Sequence, residues 1–330
     1  MWKLRRSILV LLSKGSRIRN FFLACTSIFL RQTKIKGDPI ILMMEASSRC
    51  NLECPMCPRQ LKKTVRWEGD MSFDNFKMVI DELGQTLMFL ALWNYGEPLL
   101  NNWIIDMIRY AKKKGIGVAL STNAVLLTKN KTLELIDSGL DLLIVPLDGA
   151  TKPTYEMYRK NANFEQTIEN IRSFLEERKQ RRKGIPLLDL QFLIMKHNEH
   201  EILLFENLAR RLSVDMFTFK KVVYVKDREK DFLPKDRKFI CSYYFRGFNS
   251  SYCNRLSLSS VINSNGDVTP CCSDISFRYV FGNVFSESRF RDIWNSSAYQ
   301  SFRKRAYDDM SSIDICRNCA GANFDVKVYL

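Results

Sequence analysis

Cys50, Cys54 and Cys57 fall in one short stretch, C-N-L-E-C-P-M-C, directly after the apolar run Ile40 to Met44. Three thiols this close cannot share one face of a strand, and Pro55 and Pro58 rule out a continuing helix. The stretch is therefore a loop that can curl around a compact object and present three sulfurs to it. A cubane iron–sulfur cluster takes thiolates as its ordinary ligands, whereas a structural zinc needs four ligands. A cubane held by three local cysteines keeps one iron without a protein ligand. An electron-transfer cluster has a full set, so the vacancy points to chemistry at that iron.

A second group of thiols lies toward the C-terminus. Cys253, Cys271 and the Cys316-x2-Cys319 pair make a complete set of four, with Cys272 and Cys241 as further thiols that could substitute. Leu256 to Ile262, Asn265-Gly266 and Val268 to Cys271 read as a hairpin, because Asn-Gly is a strong two-residue turn signal. Two distant cysteines on a hairpin plus a close pair suit a closed metal site, with zinc or an iron–sulfur cluster as occupant. A helix is expected around Phe290 to Arg305.

Between these groups the chain alternates. Apolar runs at 40–45, 87–93, 116–121, 141–147, 188–195 and 215–219 read as strands. Helical patterns at about 73–84, 102–114, 129–138, 164–182 and 200–212 separate them. Six such units without hairpin turns imply right-handed crossovers and a parallel sheet. The expected fold is α/β, a partial (β/α)6 parallel barrel. Functional residues should then collect at the C-terminal rim of the strands. The polar clusters Trp93-Asn94-Tyr95-Gly96-Glu97-Pro98, Ser121-Thr122-Asn123 and Asp148-Gly149 all follow apolar runs, as that expectation requires.

The C-x3-C-x2-C loop after a first strand resembles the signature of the radical SAM superfamily. The resemblance implies that the open iron is chelated by the amino and carboxylate groups of S-adenosylmethionine, whose cleavage yields a 5′-deoxyadenosyl radical. Gly96-Glu97-Pro98 resembles the family's G-E-P motif, which holds the methionine amino group. Ser121 and Asn123 match the position that contacts ribose or carboxylate, and Arg159 the position of a basic residue that pairs with the S-adenosylmethionine carboxylate. Pro146 stands where a serine is common before Asp148-Gly149, which puts a hydroxyl contact there in doubt. Gln191 faces either the pocket or the helices, and Met56 either packs near adenine or is filler. His197 and His200 read as a lone pair, more often structural than a metal site. The C-terminal pattern resembles the twitch domain, a shortened SPASM domain. It implies one auxiliary [4Fe–4S] cluster on Cys253, Cys271, Cys316 and Cys319.

The chain has 330 residues, 46% apolar and 26% charged, an ordinary globular composition. Ten cysteines without a secretory signal point to metal or redox use in a reducing, cytoplasmic compartment. Residues 1–36 hold nine Lys/Arg and no acid, out of a net charge of +15, so the rest is only mildly basic. That excludes a dedicated nucleic-acid surface across the body; clusters such as Lys112-Lys113-Lys114 read as solvated helix faces. In residues 1–36, Ile18, Phe21, Phe22, Cys25, Ile28 and Phe29 recur at helical spacing. This basic amphipathic helix either lies on an anionic membrane surface or covers a flank of the catalytic domain. The run Ile8 to Leu12 is too short for a signal-peptide core or a spanning helix. The expected division is residues 1–36, a core at 37–225 and an auxiliary-cluster domain at 226–330.

A fully ligated second cluster has no open iron and is expected to move electrons. The reaction expected is net oxidation, or redox-neutral rearrangement, of a small-molecule substrate such as a sugar, aminocyclitol or glycan precursor. Peptide modification and modification of a membrane lipid or lipid-linked substrate are the alternatives. An acidic flavodoxin or ferredoxin is the expected reductant. No residue in the sequence identifies itself as the base that deprotonates the substrate.

Overall fold

The computed structural model describes residues 15–60, 67–223, 231–241, 253–286, 288–317, 319 and 325–329. Lys3, Arg5, Arg6, Lys14 and the Ile8 to Leu12 run lie outside the described residues, as does the boundary expected at 225/226.

Six strands pair in sequence order, every neighbour parallel: β1 (Ile41–Met44), β2 (Phe89–Ala91), β3 (Gly117–Ser121), β4 (Leu142–Pro146), β5 (Leu187–Ile194) and β6 (Met216–Val223). Parallel neighbours need crossover connections. These are supplied by α2 (Phe73–Leu83), α3 (Ile104–Lys113), α4 (Lys129–Asp137), α5 (Lys152–Tyr158) with α6 (Phe164–Gln180), and α7 (Ile202–Leu212). Ser72, Thr128 and Asn163 cap α2, α4 and α6 by accepting backbone N–H groups of the first turn. Phe76, Ile80 and Leu83 of α2 and Ile104, Met107 and Ile108 of α3 are fully buried against the sheet. Each such side chain contributes about 1.5–3 kcal/mol relative to exposure. The result is the expected partial barrel.

The sheet extends beyond this arc at both edges. After a single helical turn, α8 (Arg255–Leu258), β8 (Ser259–Ile262) pairs parallel with β1, and β9 (Val268–Thr269) pairs antiparallel with β8. The hairpin was expected to begin at Leu256; the chain instead spends 255–258 in helix before its first strand. Gly266, at φ +93°, supplies the left-handed turn residue. At the other edge β10 (Asp325–Tyr329) runs antiparallel to β6, and β7 (Ile240–Cys241) pairs with its end. The helix expected around Phe290 to Arg305 is two, α9 (Phe290–Trp294) and α10 (Ser297–Asp308), because Ser296 starts a new helix as its N-cap. A final turn, α11 (Asp314–Arg317), carries Cys316.

The N-terminal helix α1 (Gly15–Phe29) covers the end of the barrel where strands begin. Its buried residues are Arg17, Asn20, Ala24 and Ser27. The Arg17 guanidinium donates to the carbonyl oxygens of Gly84 (3.2 Å), Lys114 (2.9 Å) and Gly115 (2.5 Å), closing the C-termini of α2 and α3. A cation is favoured there by the helix dipole. Asn20 donates to Asp38 O and accepts from Asp38 N–H. Ile18, Phe21, Phe22, Phe29 and Leu30 are left exposed. The helix is thus inverted, polar inward and apolar outward. Among the described residues no helix is long and apolar enough to cross a membrane.

Candidate active site

β1 delivers the chain into the three-cysteine loop, and β2 delivers Gly96-Glu97-Pro98 beside it. A Cβ on Gly96 would stand 1.9 Å from Ser47 O and 2.8 Å from Arg49 O. Only glycine permits that approach, and the adjacent Glu97 N–H donates to Arg49 O at 2.7 Å. The two loops are therefore held together by backbone. Within the cysteine loop, Cys57 N–H donates to Cys54 O (2.9 Å) and Leu52 N–H to Cys50 Sγ (3.4 Å). Leu52, Cys54, Tyr158 and Met195 are buried together, with Cys50, Met56 and Cys57 packed against them. Met56 thus lies in the wall of the cysteine loop.

The Glu97 side chain is fully buried, and burial pushes its carboxyl up in pKa, opposed by the hydrogen bonds it accepts. One oxygen accepts from Thr122 Oγ1 (2.7 Å) and Leu99 N–H (3.0 Å), the other from Asn123 N–H (2.8 Å). Three donors on a desolvated carboxylate fix the ends of β2 and β3 against each other. The carboxylate is thus engaged within the protein. Asn123 carries the connection onward: its side-chain amide donates to Asn51 Oδ1 (2.8 Å) and lies 3.9 Å from Cys50 Sγ. Asn51 and Thr122 are positioning residues that sequence reasoning did not single out; both adjoin residues it did.

Ser121 ends β3 partly exposed at the same rim. Beyond β4, Asp148 sits at φ +57°, a conformation aspartate tolerates better than most side chains. It accepts from Leu193 N–H (2.8 Å) and pairs with Arg159, whose guanidinium also approaches Cys54 Sγ at 3.8 Å. Burial alone would lower the Arg159 pKa, but the Asp148 carboxylate and Cys54 raise it, so the guanidinium stays charged beside the sulfur. Phe192 packs on Phe205 of α7 (4.6 Å), so its neighbour Gln191 points into the barrel, where it donates to Asp189. Thr218 closes this buried trio by donating to Asp189 at 2.7 Å. His197 stacks on Tyr158 (5.7 Å), and both its ring nitrogens are buried without a hydrogen-bond partner among the described residues. His200 is exposed.

The second cysteine group abuts the first site. Tyr95 donates its hydroxyl to Cys272 O, and Asn94 Nδ2 to Asn263 Oδ1 (3.2 Å). Glu45, fully buried at the end of β1, accepts from Tyr95 N–H (3.2 Å) and from the N–H and hydroxyl of Ser264 (3.4 and 3.1 Å). A charged residue ending an apolar run was the sequence signal for Glu45. Burial raises the Cys253, Cys271 and Cys272 thiols and takes Cys316 up to about 12; neighbouring thiols add to each shift. Burial dominates the rise of both Cys271 and Cys272, with Cys319 adding to each. The Cys241 side chain lies outside the described residues. Arg255, and more weakly Lys220 on β6, oppose the rise that burial gives Cys272, basic groups the sequence did not flag.

Both groups fit iron–sulfur clusters. Buried thiols that mutually disfavour ionisation are what a polycationic centre stabilises as thiolates. Among the described residues no three His, Cys, Asp or Glu side chains are placed to hold a single metal ion. Ligands of a cubane stand around a larger object and need not converge on one point.

A family model described as the radical SAM superfamily matches residues 44–205, and the SPASM model, an iron–sulfur cluster-binding domain, matches residues 253–320. The tungsten-containing aldehyde ferredoxin oxidoreductase cofactor-modifying protein of Pyrococcus furiosus is 26% identical over 298 residues, 79% of this chain and 82% of that one. Mycofactocin maturase MftC of Mycobacterium tuberculosis is 25% identical over 320 residues, 87% of this chain and 79% of its own. The crystal structure of BtrN in complex with AdoMet and 2-DOIA shares the fold, with a TM-score of 0.57 at 19% identity over 87% of this chain and 95% of BtrN.

Proposed function

The chain belongs to the radical SAM superfamily, SPASM type, and from that premise we propose that it oxidises a small polar substrate admitted at the C-terminal rim of the barrel. It is an enzyme that binds S-adenosylmethionine on a [4Fe–4S] cluster and carries an auxiliary cluster. In this reading Cys50, Cys54 and Cys57 hold the first cluster and Cys253, Cys271, Cys316 and Cys319 the second. Bound there, the clusters supply the electron that cleaves S-adenosylmethionine and a nearby place for an electron to return.

The observation that carries the oxidative reading is the Tyr95–Cys272 hydrogen bond. It fastens the auxiliary cysteines directly to the residue before Gly96-Glu97-Pro98. Cysteines fastened this near the rim would hold a cluster where an electron acceptor is needed for a substrate oxidation. The protein's own residues then orient and exclude water: Gly96 and Glu97 shape the edge, Ser121 and Asn123 face the ligand, and Arg159 keeps a positive charge beside Cys54. Asp189, Gln191 and Thr218 satisfy one another and seal the barrel floor. Electrons enter from an acidic flavodoxin or ferredoxin.

Peptide modification is the second reading, favoured by MftC, a maturase aligned with 87% of this chain. Anaerobic incubation of the reconstituted protein with S-adenosylmethionine, dithionite and extracts fractionated by size decides between them. A product two hydrogens lighter than its parent in the small-metabolite fraction supports the proposal. A mass change confined to the peptide fraction transfers the function to the second reading.

A further inference from the structure

We propose that α1 docks this protein on an anionic lipid surface, with its exposed apolar face in the interface and the barrel mouth turned toward the aqueous phase. The helix does not bury its apolar stripe. It spends Arg17 and Asn20 on the loops that precede β1, β2 and β3, and leaves Ile18, Phe21, Phe22, Phe29 and Leu30 in solvent. Phe22 is 64% and Phe29 86% exposed, so neither contributes to the fold. Successive side chains turn by about 100° along a helix, which sets Ile18, Phe22 and Phe29 on one face, nearly opposite Asn20 and Ala24. Large aromatic side chains collected on one solvent face mark an interaction surface.

Charge decides the occupant. Arg19 flanks the apolar face, and Arg31, Lys34 and Lys36 follow it; all four are exposed. The sequence from residue 1 to residue 36 contains no acid, so the whole segment is of one sign. A partner that takes aromatics into an apolar layer beneath a negative surface meets both features, and an anionic bilayer interface is such a partner. Each basic residue near that surface adds to the attraction.

Orientation follows from which loops α1 covers. Gly84, Gln85, Thr86 and Gly115 precede β2 and β3, whereas Gly96, Glu97 and Asn123 follow them. The docked face and the mouth of the barrel are therefore at opposite ends of the same strands. A bilayer lipid is on the wrong side to enter, and the substrate arrives from water.

The test is sedimentation of the anaerobically purified, cluster-loaded chain with vesicles of phosphatidylcholine alone and with about one-third phosphatidylglycerol. Binding to the anionic vesicles that weakens at least about tenfold in Phe22→Ser/Phe29→Ser, and again in Arg19→Ser/Lys34→Ser/Lys36→Ser, is the expected result. These positions are exposed, so an unchanged melting temperature shows that folding is intact. Hydrogen exchange on vesicles should protect residues 18–30 and leave 94–98 unchanged. Absence of anionic binding, or binding indifferent to the aromatic pair, overturns the proposal. So does a dimer in solution that the aromatic pair abolishes, which would assign the face to a second copy. Protection of 94–98 overturns the orientation.

Discussion

Tyr95 donates its hydroxyl to the carbonyl oxygen of Cys272, so one hydrogen bond joins the Gly96-Glu97-Pro98 rim to the C-terminal cysteine group. Tyr95→Phe removes that donor. The expected cost is about 1 kcal/mol in unfolding, with faster loss of one cluster's iron to a chelator. Formation of 5′-deoxyadenosine should stay within a few-fold of the parent. Chelation kinetics identical to the parent would show that the bond does not secure the auxiliary group.

The three-cysteine loop makes the sharper demand. Cys50→Ala, Cys54→Ala or Cys57→Ala should each abolish 5′-deoxyadenosine under dithionite, because a cubane held by two thiolates does not survive there. Quantifying the nucleoside by chromatography checks this. Cleavage that persists in any of the three would remove the loop from the site.

Cys319→Ala separates the second cluster from the first. Iron should fall from about eight to about four per chain, cleavage should remain measurable, and substrate oxidation should stop. Iron counting alongside the nucleoside assay distinguishes the two losses.

Gly96→Ala introduces a methyl 1.9 Å from Ser47 O, in a place where only backbone could move to relieve it. A loss of more than about 3 kcal/mol is expected, as for a forced overpacking with no flexible neighbour. S-adenosylmethionine binding should go with it. Gly15→Ala is the control, since nothing lies within 4 Å of a methyl there, and its melting temperature should equal or exceed the parent's.

Arg17→Met deletes a buried guanidinium that serves three carbonyl oxygens. A destabilisation of about 2–4 kcal/mol is expected, because the orphaned carbonyl of Gly84 stays buried and those of Lys114 and Gly115 partly so. Urea unfolding measures it, and a change under 1 kcal/mol would mean that water replaces the guanidinium at those helix ends.

Much of this was legible in the residues. The six parallel strands announced themselves as apolar runs separated by helical patterns, and the rim clusters lay where those runs ended. The short helix 152–158 has only seven residues, too few to show a helical pattern of its own, although Pro153 is well suited to its first turn. The pairing of β8 with β1 has no local signal: Ser259 and Ile41 are neighbours only through the fold. β10 was missed for the same reason, being a short segment whose partner is far away in sequence. For α1 the apolar stripe was plain, but its direction was not. Arg17 and Asn20 turn it, and the carbonyls they serve lie scattered from Asp38 to Gly115. At the site, spacing singled out the cysteines and the likeness to a G-E-P motif singled out Glu97, while the Glu97–Thr122–Asn123 network needed the strand ends to be side by side.

β1 is flanked by β2 on one side and by β8 on the other. β1 therefore waits for residues 259–262 before its free edge is covered. An exposed parallel edge in a half-made chain is a standing invitation to aggregate. Truncation anywhere before Ile262 should yield insoluble protein, however complete its three-cysteine loop, and chaperone demand should be greatest during the interval between the two strands' synthesis.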